Sequence, residues 1–368
     1  MRIIEGYVAR QIARVTVLVL VIVSFALLLE RTLRLMHEMD PATLPLPLAA
    51  GLLAARLPEI VGIALPPAFF AGMLLTFQRL VRDRELDAAY AAGTGPGELV
   101  RPLLAATLAV VALLMLVFWY LLPLSHFTVR DLTDQAARAA IGAPLKPGSF
   151  VQLKDGVLYI QPRTAGGMAN IFVYEPAMLG DRYVTTATVE DFELSKDRGT
   201  LFFAARNGQR LTIPGPERQS GLLTFAHVRQ LIYAVPPGNA APRGARADEL
   251  TLGELIAKPA ADRDRDPGLR SQLHIKFARV IVALFLPLAA LPLGLMFSVR
   301  RQWIAIAVGV LLMLSVDQAL IFGEALASRG EMSPWLGIWG VTAAFAALAG
   351  TLAMIQGFRF SRGRAEAV

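Results

Sequence analysis

Residues 102–125, PLLAATLAVVALLMLVFWYLLPLS, hold no charged side chain over 24 positions. A helix rises about 1.5 Å per residue and needs about 20 mostly apolar residues to cross the hydrocarbon of a bilayer, so this stretch reads as a membrane span. Three other uncharged runs have the same character: Ile60–Gln78 over 19 residues, Val280–Val299 over 20 and Met332–Phe358 over 27. Val15–Leu29 and Gln302–Val316 are shorter, at 15 residues each, and their flanks extend them. Six spans result, three on each side of a polar middle. The composition of the 368-residue chain agrees, with 55% hydrophobic and 18% charged residues and a mean hydropathy of +0.52, a balance unlike that of soluble domains.

Charge orients these spans. With the N-terminus in the cytoplasm, the inner flanks collect 12 arginines, against Arg31, Arg34, Arg56 and Arg329 on the outer flanks. That asymmetry is what the positive-inside rule requires, and it puts both termini inside and the middle section outside. The first apolar block runs directly into Glu30 and Arg31 with no small-residue cleavage site, so it reads as a retained anchor. The formal net charge of +7 does not point to nucleic acid: residues 126–273 carry 18 Lys and Arg against 16 Asp and Glu, and the excess sits mainly on the inner membrane flanks. No nucleic-acid partner is expected. The chain has no cysteine, which excludes a disulfide framework and thiolate metal sites.

The domain organisation follows. Residues 1–125 hold spans one to three, 126–272 an outer domain with its linker, and 273–368 spans four to six. Within 126–272 the runs FVQLKDGVLYIQP, ANIFVYEP, YVTTATVEDFELS, GTLFFAARNGQRLTIP and LLTFAHVRQLIYAVP are β-prone and separated by Gly, Pro and Asp turns. This pattern predicts an all-β barrel, sandwich or jelly roll. The first span extends as a helix from about residue 5 to 38, where Pro41, Pro45 and Pro47 stop it, and the third is expected to end at Pro123. Residues 48–58 suit a short interfacial helix, and Thr251 with Glu254 forms a capping-box pattern.

The connection between spans two and three, RDRELDAAYAAG at 82–93, is the inner segment with the clearest structure of its own. About residues 82–92 read as a short helix, with Leu86 and Tyr90 four residues apart on one face and Gly93 helping to end it. A rigid knob of this kind, carrying Glu85, is a shape another protein can grip. No catalytic set is found. His37, His126, His227 and His274 are isolated, no serine lies in a nucleophile-elbow context, and the phosphate-cradling G-x-x-x-x-G-K-[ST] loop is missing. The sequence therefore predicts no catalytic, metal or cofactor site, and any energy source must come from a partner or a gradient. Asp317, after 15 uncharged residues in span five, and Glu324 seven positions later are intramembrane carboxylates, costly unless paired, protonated or facing a cavity. Arg31 and Arg34 at the outer end of span one suit either phosphate contact or simple snorkelling to the interface.

Taken together, IIEGYVARQIARVTVLVLVIV (3–23), RDRELDAAYAAG (82–93), YVTTATVEDFELSKDRGTLFFAARNGQRL (183–211) and LHIKFARVIVALFLPLAALPLG (273–294) resemble the LptF/LptG permeases of the lipopolysaccharide exporter over essentially the whole chain. The opening helix and RTLRLMHE (31–38) resemble the LptF branch more closely. The resemblance implies an inner-membrane subunit whose outer domain is a periplasmic β-jelly roll. It also implies a partnership with the paralogous permease, two copies of a cytoplasmic ABC ATPase that binds ATP and Mg, periplasmic bridge proteins and lipopolysaccharide. On this resemblance Glu85, Leu86, Ala88, Tyr90, Ala91 and Gly93 belong to a helix that couples to the ATPase, with Tyr90 departing from the family pattern. Arg31, Arg34 and Asp317 become candidates for the lipid path. Two other classes fit the layout less fully: a membrane-anchored assembly scaffold, which leaves the 82–93 segment unexplained, and an ion-driven transporter using Asp317, which would work without an ATPase.

Overall fold

The computed structural model describes residues 2–38, 46–85, 88, 91, 96–142, 150–153, 156–161, 169–176, 182–195, 200–213, 220–234, 242–296 and 302–365. Among them, six helical stretches are long and apolar enough to cross a membrane: Glu5–Leu35, Leu46–Arg82, Val100–Ala136, Pro267–Gly294, Trp303–Ser328 and Trp335–Ile355. They are built from α1 (Arg2–Glu38), α2 (Leu46–Ala55), α3 (Leu57–Arg82), α4 (Pro96–Leu116), α5 (Leu122–Gly142), α8 (Pro267–Met296), α9 (Gln302–Ser328) and α10 (Gly340–Ala365), with the short α6 (Leu252–Ala257) and α7 (Ala260–Arg265) preceding α8. The chain divides into two compact units, the first comprising Met1–Glu38, Ala50–Arg130 and Arg243–Val368, the second Met39–Ala49 and Asp131–Pro242.

In the first unit α3 and α8 are the central helices. Their apolar windows are 72% and 61% buried, against 11% for α1 and 22% for α9. Phe69, Phe70, Met73 and Leu74 of α3 and Leu286 of α8 are fully buried, with Ile12 and Leu114 joining them from α1 and α4. The peripheral helices keep apolar side chains such as Val21, Phe25, Leu311 and Phe322 exposed, as hydrocarbon solvent permits. Both central helices run through prolines, Pro66 and Pro67 in α3 and Pro287 and Pro292 in α8. Packing neighbours make such residues tolerable where water is scarce.

Pro123 does not end the third apolar stretch. A π turn, Val117–Leu121, joins α4 to α5, and the helix continues to Gly142. Pro123 falls in the first turn after the π turn, where a missing amide donor costs least. A second π turn, Trp335–Trp339, leads into α10. Here α9 approaches so closely that a Cβ on Gly323 would lie 2.0 Å from the Gly337 carbonyl oxygen.

The second unit contains a six-stranded antiparallel sheet, β1 (Phe150–Leu153), β2 (Gly156–Ile160), β3 (Ala169–Pro176), β4 (Arg182–Ser195), β5 (Thr200–Ile213) and β6 (Gly221–Ala234), with spatial order equal to chain order. The run beginning at Phe150 is thus two strands, paired from Phe150↔Tyr159 to Leu153↔Gly156. The expected jelly roll is not confirmed: the described strands form a meander without the crossover such a fold uses. Side chains alternate across the sheet. Val173, Thr185 and Ala187 are buried on one face, while Tyr159, Phe172, Thr186 and Gln209 make a cross-strand row on the other. An open cavity of about 550 Å³ lies over that row, lined by uncharged residues that include Gln161, Asn170 and Asn207. Asn207, at φ 47°, sits beside a register shift between β4 and β5. The Asn-Gly pair therefore marks a bulge within a strand and not a hairpin turn.

Candidate functional site

The connection between α3 and α4 begins with an abrupt stop. Asp83 closes the last turn of α3 through its backbone N–H to the Arg79 carbonyl, and its carboxylate pairs with Arg79 at 3.4 Å and Arg82 at 3.2 Å. Arg84 then takes a left-handed conformation, φ 54°, which a side chain larger than glycine rarely adopts. This break separates Glu85 from α3, and the expected helix from 82 starts three residues later than its sequence suggests. Glu85 and Ala88 have helical backbone, with the Ala88 N–H donating to the Arg84 carbonyl at 3.1 Å, and Ala91 is helical too. Ala88 and Ala91 are exposed. Glu85 is half-buried and accepts a 3.3 Å hydrogen bond from the Tyr7 hydroxyl of α1. Leu86, Tyr90 and Gly93 lie outside the described residues.

At the far end of α1 the two arginines already have carboxylate neighbours. Arg31 lies 3.3 Å from Glu59 of α3 and 3.7 Å from Glu30, and Arg34 lies 2.5 Å from Glu30. Arg56, at 3.5 Å from Glu59, extends the group. Arg31 thus ties α1 to α3, while Arg34 stays on its own helix. Both remain partly exposed, so a further anion would share these guanidinium groups with the internal carboxylates.

Sequence reasoning left the carboxylates of span five without a basic partner; the structure supplies one from α8. Arg279 approaches Glu324 at 3.9 Å, stacks 5.2 Å over the Phe118 ring and has Asp317 within electrostatic reach. Gln272 donates its side-chain amide to Glu324 as well. Three residues before Arg279, Lys276 is buried and donates to two backbone carbonyls, Leu250 at 2.9 Å and Phe118, in the π turn, at 3.4 Å. The signal for this cluster was present in LHIKFAR: two cations three apart, on one face of an otherwise apolar helix.

A second polar group surrounds the 3-10 turn Ala247–Glu249. Glu249 is only 1% exposed, lies 2.5 Å from Arg130 of α5 and accepts a 3.3 Å hydrogen bond from the Gly244 N–H. Removing one partner of such a buried pair costs about 3–5 kcal/mol, because the other charge stays desolvated. Gly244 has φ +90°, a backbone conformation that favours glycine, and a Cβ there would approach the end of the Leu250 side chain at 2.9 Å. Asp248 meets His126 at 3.3 Å, and that contact foremost holds its carboxyl below the usual value. The capping box at the start of α6 forms as the sequence predicts: Glu254 accepts from the Thr251 N–H at 2.8 Å, while Thr251 accepts from the Glu254 N–H. The bond from the Thr251 backbone is the main reason the Glu254 carboxyl is lowered. Arg243 adds two contacts to Glu254 at 2.8 Å.

Residues 6–355 match the family model "Lipopolysaccharide export system permease LptF/LptG". The chain is also 22% identical over 356 residues to the lipopolysaccharide export system permease protein LptF of Escherichia coli strain K12, covering 94% of this chain and 93% of that protein. The LptF of Shigella flexneri matches to the same extent. With six apolar helices, a β-sheet unit between the third and fourth, and a family match over nearly its full length, the chain belongs to the LptF/LptG family of lipopolysaccharide export permeases.

Proposed function

We propose that this chain is an LptF-type subunit of an ATP-driven exporter that extracts lipopolysaccharide from the inner membrane and passes it to a periplasmic bridge. It pairs with a paralogous LptG-type permease, and two copies of a separate cytoplasmic ABC ATPase supply the ATP and Mg chemistry that this chain lacks. Both termini face the cytoplasm, and the strand-bearing unit lies in the periplasm. Lipopolysaccharide enters between the helices of the two permeases, with Arg31 and Arg34 meeting its phosphates and Asp317 facing the path. Closure of the ATPase pair presses on the helix around Glu85 and narrows the space between the two permeases. The acyl chains then leave along the sheet, sheltered from water.

The observation that carries this reading is the detached helical segment that begins after Arg84 and is anchored to α1 through Tyr7 and Glu85. A break in the chain followed by exposed Ala88 and Ala91 offers a small, apolar surface to a partner, while the Tyr7 bond gives any push a route into the first apolar helix. In the test, Glu85→Ala is expressed with its partner subunits. The expected result is normal membrane insertion with reduced ATPase copurification or reduced lipid-stimulated ATP hydrolysis. Unchanged copurification together with unchanged hydrolysis would overturn the assignment of this segment.

A further inference from the structure

The chain leaves the first compact unit at Arg130 and returns to it at Arg243. Both boundary residues are held by one short stretch of sequence. Arg130 lies 2.5 Å from Glu249, and Arg243 contacts Glu254 at 2.8 Å. Glu249 also accepts from the Gly244 N–H, so a single buried carboxylate joins the outgoing helix α5 to the returning segment. Lys276 makes the corresponding connection inward. Its ammonium donates to Leu250, the residue after Glu249, and to Phe118 in the π turn between α4 and α5. Trp119 of the same π turn donates its indole N–H back to the Lys276 carbonyl at 3.2 Å. Leu250, Leu255 and Leu269 close a small apolar core around these contacts.

We propose that Glu249 and Lys276 form a clasp that makes the π turn of the third apolar stretch, the start of α8 and both connections to the strand-bearing unit move as one body. Two independent connections would each move on their own. A clasped pair transmits a displacement of α4 or α8 to both connections at once. The π turn is the natural moving part, since a wide turn exposes carbonyls such as that of Phe118 to a side-chain donor and regains regular bonding by shifting one residue. As a device for transport the clasp rests on the permease reading above, but its geometry can be tested apart from it.

The natural chain has no cysteine, so labels can be placed at will. Spin labels go on Thr128→Cys of α5 and Gly253→Cys of α6, both exposed, the second at a position where an added Cβ meets nothing within 4 Å. The full chain is studied in its complex with partner subunits, in membranes containing lipopolysaccharide. The unaltered clasp should give a narrow distance distribution that broadens in Lys276→Met and in Glu249→Gln and narrows again in Lys276→Arg. In the same variants the lipopolysaccharide delivered per ATP hydrolysed should fall about tenfold, with hydrolysis itself retained. The exchanged pair Arg130→Glu with Glu249→Arg should restore the ion pair to α5 without an acceptor for the Gly244 N–H, and so recover both readouts in part, which covers the case in which one single variant fails to insert. An unchanged distance distribution in both single variants overturns the clasp. So does a parallel fall of delivery and hydrolysis in variants that insert normally, since that is the signature of general destabilisation. An unaltered complex that moves no lipid counts against the permease reading alone, and the distance measurement then decides the clasp.

Discussion

Arg31 is bound by Glu59 of α3 and Glu30 of its own helix, so its charge is shared before any lipid arrives. A phosphate that binds there must compete with those carboxylates or join them, and arginine's planar fork can serve two partners at once. The double change R31E/R34E replaces two cations with carboxylates facing Glu30 and Glu59. Crosslinking of lipopolysaccharide to the first apolar helix should drop several-fold, and unaffected crosslinking would return both arginines to the role of interfacial anchors. Acid acts on the turn region with a definite sign. Asp248 and Glu254 both titrate below their ordinary values in the folded chain. Their contributions are therefore present above the unfolded carboxylate values of about 4 and are lost as pH falls through the lowered folded values. Amide protection factors in α6, corrected for the intrinsic pH dependence of exchange, should fall below about pH 4 and hold steady between about pH 5 and 7; factors that hold steady throughout would deny these contacts any role in holding α6. The capping box could be seen in the sequence because Thr251 and Glu254 form a local pattern. Glu249 could not, because nothing next to it distinguishes it from Asp248, and its partner Arg130 is more than 100 residues away.

At the scale of elements, the contact between α9 and the second π turn is set by backbone. Gly323 and Gly337 leave no room for a Cβ on the first, so helices of a solvent that offers no hydrophobic drive gain their attraction from close approach. Gly323→Val should force the two apart and cost about 1–3 kcal/mol or more, read as a lowered melting temperature of the detergent-solubilised chain. A melting curve that matches the unaltered chain would mean that this crossing yields without loss. The elements themselves were unequally legible. Long uncharged runs announced all six apolar helices, and alternating β-prone runs announced the strands. Pro123 misled as a stop, since the π turn before it resets the hydrogen-bond pattern and no local residue signals that turn. The 82–92 helix was placed too early for a related reason: Arg84 in a left-handed conformation is a break that composition does not reveal.

For the whole molecule, the order of three apolar helices, a sheet and three more helices was readable because a bilayer restricts what an uncharged run can do. Strand connectivity was not restricted in that way, and the expected jelly roll met a meander among the described strands. The partners that long-range cations find across the helices were unreadable for the same reason as Glu249: they depend on which helices become neighbours. The meander also bears on the order in which the chain matures. Every described pairing joins consecutive strands, so each closes a short loop, and sheets of low contact order form quickly. During synthesis the sheet can zip together strand by strand while α8 to α10 are still unmade. Glu249 follows only after the last strand, and Lys276 later still, so the fastening they make is the final stitch, formed only after the strands have already set.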